Sequence, residues 1–270
     1  MKRCYALLVL FSVLLFNSSI EANQYKIMTE DFAPFGYIEN DNLTGLSVEI
    51  VREILKLLSQ PDNIQVHPWA RVYREAQQGP NKIVFSMARS PDRETQFKWV
   101  GPLIADKIYF YKRKNSNTHI KTLEDAKAVS RIMLTRDFPE HTFPHSRGFT
   151  NLTLTVRPIQ TFKMLIAQRG ELVPMGELAA HNTIKEANID PSKIERTNVK
   201  LFETKLYIAF SKDIPDSVVK KWQQALDQLK ASGIHSKILK KHTLQKTTQA
   251  TDTTYQIDAP KNHSFYFHQQ

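Results

Sequence analysis

Apolar and polar positions alternate along this chain in two rhythms, and the switches between them mark out its elements. Residues 25–29 alternate with period two and predict a strand. Leu46, Ile50, Ile54 and Leu57 then recur at helical spacing, with Glu49, Arg52, Glu53 and Lys56 facing away, which predicts a helix over 46–58. The stretch between, 30–42, predicts a loop, with Pro34, Gly36 and an Asn40-Asp41-Asn42 turn. Residues 64–66 predict a short strand, 70–78 a helix closed by Gly79-Pro80, and 83–87 a buried strand.

A second series follows. It predicts strands over 106–112, 131–135, 152–156, 172–175 and 205–210. Between them fall helices from the Thr122 cap through 128, over 160–168 ending before Gly170, and over 178–187. Pro215 suits the first turn of a long helix with Val218, Val219, Trp222, Leu226 and Leu229 on one face. That helix stops at Gly233, and a last helical piece runs to 241. Strands alternating with helices at this pitch make βα units and a mostly parallel sheet, an α/β class. Two such series, with the last helices returning after the second, predict two lobes joined by crossings at 104–111 and 204–210. Ligands of such sheets sit in the crevice beyond the carboxyl ends of the strands, and paired lobes close on them by hinge motion.

The two ends read differently. Lys2 and Arg3 precede an apolar run over 5–16 and a polar stretch ending at Ala22, the three-part pattern of a cleaved secretory signal. The run is shorter than the roughly 20 apolar residues a bilayer requires, and Cys4 precedes it, which disfavours an acyl anchor. Cys4 is the only cysteine, so cleavage would leave no disulfide, thiolate nucleophile or cysteine metal site. A chain of about 250 residues buries enough surface to do without disulfides. Cleavage would also change the net charge from +10 to +9. A basic chain favours anionic surroundings or ligands, but its cations are scattered and no nucleic-acid motif spacing is present. From 243 onward Thr, Gln, Asp and Asn dominate without periodicity, as in a flexible tail.

Several stretches carry candidate chemistry. Thr29-Glu30-Asp31-Phe32-Ala33-Pro34-Phe35 follows the first strand and would present Phe32 and Phe35 at its carboxyl end. Pro68-Trp69-Ala70-Arg71 lies at a strand-to-helix joint, where an indole can wall a pocket or pack in a core. Ser86-Met87-Ala88-Arg89 ends a buried strand, and Ser90-Pro91-Asp92-Arg93-Glu94 starts a short helix, with Ser90 as cap and Pro91 as first residue. Free N–H groups at a helix start beside a guanidinium fork form a carboxylate receptor. His141 and His145 have the i, i+4 spacing of metal ligands, but Pro139 and Pro144 argue against the helix that spacing needs, and the ligand set is incomplete. No Gly-x-Ser-x-Gly elbow or His-Glu-x-x-His is present.

Taken in order, the Glu-Asp-Phe-Ala-Pro-Phe loop, Thr44-Gly45-Leu46-Ser47-Val48-Glu49-Ile50, Pro-Trp-Ala-Arg, and Arg-Ser-Pro-Asp-Arg-Glu before Trp99-Val100-Gly101-Pro102 resemble a divergent branch of the bacterial extracellular solute-binding proteins, family 3. The resemblance covers nearly all of 24–240 and is densest in the first lobe. It implies the two-lobed periplasmic binding protein type II fold, each lobe a mostly parallel sheet flanked by helices, joined by two hinge crossings. The implied division is a signal peptide 1–22, one lobe from 23–107 with 208–241, a second from 108–207, and a tail 242–270. Arg93 corresponds to the arginine that grips a ligand carboxylate in relatives, and Phe32 to the aromatic that covers the ligand. Ser86 and Ala88 fall on the contacting strand end, Trp69 forms a side wall, and Arg89 is common in this branch and could take a second anionic group. In the second lobe Thr135-Arg136-Asp137 resembles a backbone carboxylate site, and Met175-Gly176-Glu177 the region where an acid receives the α-amino group, with Glu177 as candidate. Lys82 and Val173 depart from the family, which often has Asp there.

The resemblance further implies a monomeric periplasmic protein without cofactor or metal. It would take a small anionic or zwitterionic solute, an amino acid first, for an ABC-transporter permease. Rival readings are a dehydratase-like enzyme on the same scaffold, and a ligand-sensing module for a membrane receptor.

Overall fold

The computed structural model describes residues 25–242; the expected signal and the tail from 243 onward lie outside them. In chain order the chain opens with β1 (Lys26–Thr29) and a hairpin of β2 (Tyr37–Glu39) and β3 (Asn42–Thr44). Then come α1 (Leu46–Leu57), β4 (Gln65–Val66), α2 (Trp69–Gln78), β5 (Lys82–Ala88) and the single turn α3 (Pro91–Glu94). Strand β6 (Lys98–Arg113) leads to α4 (Leu123–Ala128), β7 (Ile132–Thr135), α5 (Pro139–Ser146) and β8 (Leu152–Thr155). The second half continues through α6 (Pro158–Ile166), β9 (Val173–Gly176) and α7 (Glu177–Glu186) to β10 (Ile194–Phe210). Helices α8 (Asp216–Ala231) and α9 (234–242) close the described chain.

The six-stranded sheet has the order β4-β1-β5-β10-β6-β9. Strands β4, β1 and β5 are mutually parallel, and β10 runs against both β5 and β6. Beyond the middle, β9 opposes β6, while β7 is parallel to β8 and bridges in parallel to Leu172 beside β9. Each half is thus a mostly parallel sheet in which one crossing strand runs the other way. β6 and β10 pair from Lys98/Phe210 to Arg113/Ile194 and so belong to both halves. Their register shifts between Leu206 and Ile208, where four residues of β6 oppose two of β10. Such an irregularity loosens the ladder and bends the strands.

The apolar face of α1 buries Ile50, Ile54 and Leu55 with Phe85, Phe210, Trp222 and Leu226. On the other sheet face Val72 and Ala76 of α2 pack with Met28, Met87 and Phe97. The second half has its own core of Phe110, Leu134, Phe149, Leu172 and Leu201. Burying such side chains contributes about 1.5–3 kcal/mol each. Among the described residues no helix is long and apolar enough to cross a membrane.

Three expectations need correction. The crossing strands are far longer than the 104–111 and 204–210 read from the sequence, because Gly101-Pro102 and the charged run Glu195-Arg196 hide their outer ends. The stretch read as a loop over 30–42 contains β2, its turn made by Asn40 and Asp41 at φ of 49° and 61°. Residues 139–146 form α5 despite two prolines. Pro139 stands at its first turn, where no N–H is needed, and Pro144 forgoes a single bond to the carbonyl one turn back.

Candidate functional site

The elements bring a small cavity, about 50 Å3, to the seam between the lobes. By volume it holds roughly three to five waters. Its first-lobe wall begins at the loop after β1. There the Phe32 N–H donates to Gly36 O (2.7 Å), and the carbonyls of Pro34 and Phe35 accept from Leu46 and Ser47, the first N–H groups of α1. The loop therefore serves as the helix cap that Gly45, at φ 125°, lacks a side chain to provide. Phe32 is held against Phe35 at 5.7 Å and lines the cavity with Glu30.

The second part of that wall is the end of β5. Ser86 has φ of 63° inside a strand, where a non-glycine residue carries strain of about 1–3 kcal/mol. The pairing of β5 with β10 shifts register just there. This bulge turns the Ser86 side chain to the cavity, and its Oγ is buried without a hydrogen-bond partner. Ala88 follows on the same edge. Arg93, in the turn α3, is 4 % exposed. Its guanidinium lies 4.8 Å from the Tyr73 ring and 5.5 Å from that of Trp69, which stack on each other. Cation–π contacts in a desolvated place are worth about 2 kcal/mol and fix the fork. Ser90 stands at the cap position of α3 as expected, though it makes no side-chain cap bond, and its carbonyl accepts from Arg93 and Glu94 instead.

The second lobe supplies the segment between β7 and α5. Arg93 Nη2 donates to the Asp137 carbonyl at 2.6 Å, and Trp69 Nε1 donates to the same oxygen at 3.3 Å. Arg93 Nη1 donates to Ala88 O at 3.3 Å, while Nε is buried without a partner. Phe138 meets Phe32 at 5.5 Å and Trp69 edge-on at 6.3 Å. Pro139, Glu140, Gly176 and Ala179 complete this side.

Glu30, Asp106 and Glu140 line the cavity with this guanidinium, beside Asp137. Asp106, on the crossing strand β6, accepts through Oδ1 from Lys107 N (2.8 Å) and Leu178 N (3.2 Å), the latter at the start of α7. A side chain at Gly176 would press on it, since a Cβ there would lie 2.2 Å from Asp106 Oδ2. Glu140 is 6 % exposed, with Oε2 unpartnered. Burial, and the nearby charge of Asp106, push its carboxyl up to about 7 against the opposing pull of its own backbone N–H and of Arg93. Part of Glu30 reaches solvent, but its carboxyl is enclosed. Enclosure first, then Glu140 and Asp31, push it up to about 8, opposed by Arg93. Among the described residues no group of three His, Cys, Asp or Glu is placed to hold a metal ion.

Of the candidates read from the sequence, the structure brings Arg93, Phe32, Trp69, Ser86 and Ala88 together around the cavity. It does not bring Arg89, Thr135, Arg136 or Glu177 to its lining. Arg89 forks onto Glu94 (2.7 and 2.5 Å), lies against the rings of Trp99 and Tyr207, and borders a separate groove. Thr135 is buried at the end of β7, and Arg136 is exposed. Glu177 starts α7 but turns to Arg196 at 2.9 Å, whose guanidinium lies 4.2 Å from the Tyr109 ring. The sequence reading missed Glu140, Asp106, Phe138 and the Asp137 carbonyl. Pro139 followed directly by an acidic residue is itself a helix-start signal, and α5 begins there.

Comparisons with known proteins agree with this geometry. The sequence profile described as bacterial extracellular solute-binding proteins, family 3, matches residues 26–245. No curated protein matches the chain in sequence. Among solved structures, a histidine kinase sensor domain with similarity to periplasmic binding proteins superposes with a TM-score of 0.73 at 18 % identity, covering 81 % of this chain and 95 % of that one. A mutant of ArgBP from T. maritima gives 0.71 at 18 % identity, with 83 % and 97 % covered. The amino acid ABC transporter substrate-binding protein AbpA from Streptococcus pneumoniae, bound to L-arginine, gives 0.71 at 15 % identity, with 83 % and 96 % covered. At such identities these likenesses establish the fold, the two-lobed architecture of periplasmic binding proteins. With the profile spanning most of its length and a cavity seated between the lobes, the chain belongs to the bacterial extracellular solute-binding proteins, family 3.

Proposed function

We propose that this protein is a periplasmic receptor that captures a small zwitterionic or anionic solute, an amino acid first, by closing its lobes and hands it to an ABC-transporter permease. The observation that carries the reading is Arg93. A buried guanidinium held against two stacked rings, with Nε unpartnered at the seam between lobes, is a preorganised carboxylate receptor. In this reading the solute enters with the lobes apart, and its carboxylate replaces the Asp137 carbonyl on the fork. Phe32 and Phe138 then cover it from opposite sides. The lobes divide near 107 and 207, where β6 and β10 pass between them.

Among the described residues no hydrogen-bonded base accompanies Ser86 Oγ, which supports binding without turnover. The relatives named above that bind or transport amino acids support the solute class, and the three-part sequence pattern over 1–22 supports export. The sensor-domain relative supports the variant in which the closed form engages a membrane receptor. The test is a thermal-shift screen of the purified chain against amino acids, small carboxylates and peptides, because a ligand of the folded form alone raises its melting temperature. Mass spectrometry of the hits after incubation distinguishes the binder, which returns them intact at one per chain, from an enzyme, which converts them.

A further inference from the structure

Arg93 stands in α3, and a helix of four residues does not hold itself. The Ser90 side chain makes no cap bond, and its carbonyl accepts from the N–H groups of Arg93 and Glu94. Two further contacts tie the turn to the sheet. Arg89, the residue before the cap, donates through Nε and Nη2 to both carboxylate oxygens of Glu94, the last residue of the turn (2.7 and 2.5 Å). Trp99 Nε1, on β6, donates to the Glu94 carbonyl at 3.3 Å. The fork closes 89–94 into a loop, with Arg93 beside its joint. Ala88, whose carbonyl accepts from Arg93 Nη1 at 3.3 Å, comes just before it.

The place of Arg89 is itself set by the crossing strands. Its guanidinium lies 5.6 Å from the Trp99 ring and 5.5 Å from the Tyr207 ring, and the two rings meet edge-on at 6.0 Å. Tyr207 lies on β10 where that strand shifts register against both β5 and β6. Arg89 and Glu94 are partly exposed, and an exposed pair adds little to stability. Two parallel charged bonds nonetheless fix orientation. Those from Arg89 also hold the Glu94 carboxyl below its usual range, so the fork stays charged at neutral pH.

We infer that Arg89 is a positioning residue: without touching the solute, it fixes α3 through Glu94 and thereby aims the Arg93 guanidinium into the cleft. The inference rests on the reading of Arg93 as the carboxylate-binding group and deepens it. Arg89 is not in the cavity lining and borders the groove outside it, so its effect on the solute passes through the turn.

The test is calorimetric titration of the wild type, Arg89→Gln, Glu94→Gln and the double variant. The probes are the standard L-amino acid that gives the largest melting shift and, by displacement, its carboxamide, which offers Arg93 no carboxylate. The wild type should bind the acid about 100-fold more tightly than the amide. In each single variant that ratio should fall to about tenfold, and in the double variant no further, because each change breaks the same fork. A folding defect alone lowers the melting temperature and leaves the ratio in place. A wild-type ratio in both single variants would overturn the inference and leave the carboxylate reading standing. A fall in one single variant alone would overturn it too; confined to Arg89→Gln, it would make Arg89 a direct ligand. A double variant that loses the sum of the two effects would likewise overturn it. A wild type that does not distinguish acid from amide, or binds no amino acid, would overturn the reading of Arg93 together with this inference.

Discussion

The Arg93 guanidinium of the first lobe donates to the Asp137 carbonyl of the second across 2.6 Å. It is a charge-assisted bond between a side chain fixed by stacking and a backbone oxygen fixed by its loop, where Asp137 itself has φ of 62°. One contact thus couples the candidate ligand group of one lobe to the position of the other. A solute that takes over the fork exchanges a carbonyl for a carboxylate and gains a full charge interaction.

Phe138 closes the same seam with apolar surface, touching Phe32 and Trp69. Phe138→Ala removes those contacts while leaving the polar groups in place. Affinity for the solute should fall by about 1–3 kcal/mol, with an increased radius of gyration in small-angle scattering of the ligand-free protein. Unchanged affinity would separate Phe138 from closure.

The two shifted carboxyls predict a pH dependence of stability with a definite sign. Both fold to values above the ordinary 4.5, about 7 for Glu140 and about 8 for Glu30. The folded state therefore binds more protons than the unfolded one in between, and stability falls as pH rises. The contribution is complete below about pH 4.5 and is lost as pH climbs through 7 to 8. A loss of about 2 kcal/mol lowers Tm by roughly 4–8 °C in a protein of this size. Scanning calorimetry from pH 5 to 8.5 should show that decline in the wild type and a flatter profile in Glu140→Gln. Glu75 shifts the other way, to about 2, through hydrogen bonds from Arg71 and Lys26. Its contribution is lost only as pH falls from about 4.5 toward 2, outside that window.

Ser86 offers a trade between stability and binding. Its φ of 63° suits glycine, so Ser86→Gly should relieve strain and stabilise the fold by about 1 kcal/mol. The same change deletes the buried Oγ from the cavity and should weaken solute binding by about 1 kcal/mol. Thermal and ligand titrations moving in the same direction would refute this.

Gly176→Ala tests the Asp106 contact by sterics alone, since Gly176 has an ordinary φ of −60°. The new methyl would meet Asp106 Oδ2 at 2.2 Å and push that carboxylate off the start of α7. Chemical denaturation should show a loss of about 1–3 kcal/mol.

How much of this was legible in the sequence differs by element. The helices α1 and α8 declared themselves because one face of each is buried and the other solvated, and period 3.6 survives intact. Arg93, Phe32, Trp69, Ser86 and Ala88 were legible through the resemblance to the family, whose motifs fall in the loop after β1, at the start of α2, near the end of β5 and in α3. Glu140 was not, because it lies on α5, whose prolines mask a helix that packing nonetheless forms. Asp106 sits mid-strand in β6, and nothing local says that Gly176, seventy residues later, leaves room for its carboxylate. Glu177 shows the converse: its position along the chain is right for the cleft edge, but the rotation of α7 points it to Arg196.

The most direct test of solute capture by Arg93 is calorimetric titration of the wild type and Arg93→Ala with the amino acid that gives the largest thermal shift. The account predicts one solute per wild-type chain, and a loss of about 2–5 kcal/mol of binding free energy in the variant. Equal affinity in the two proteins would contradict it.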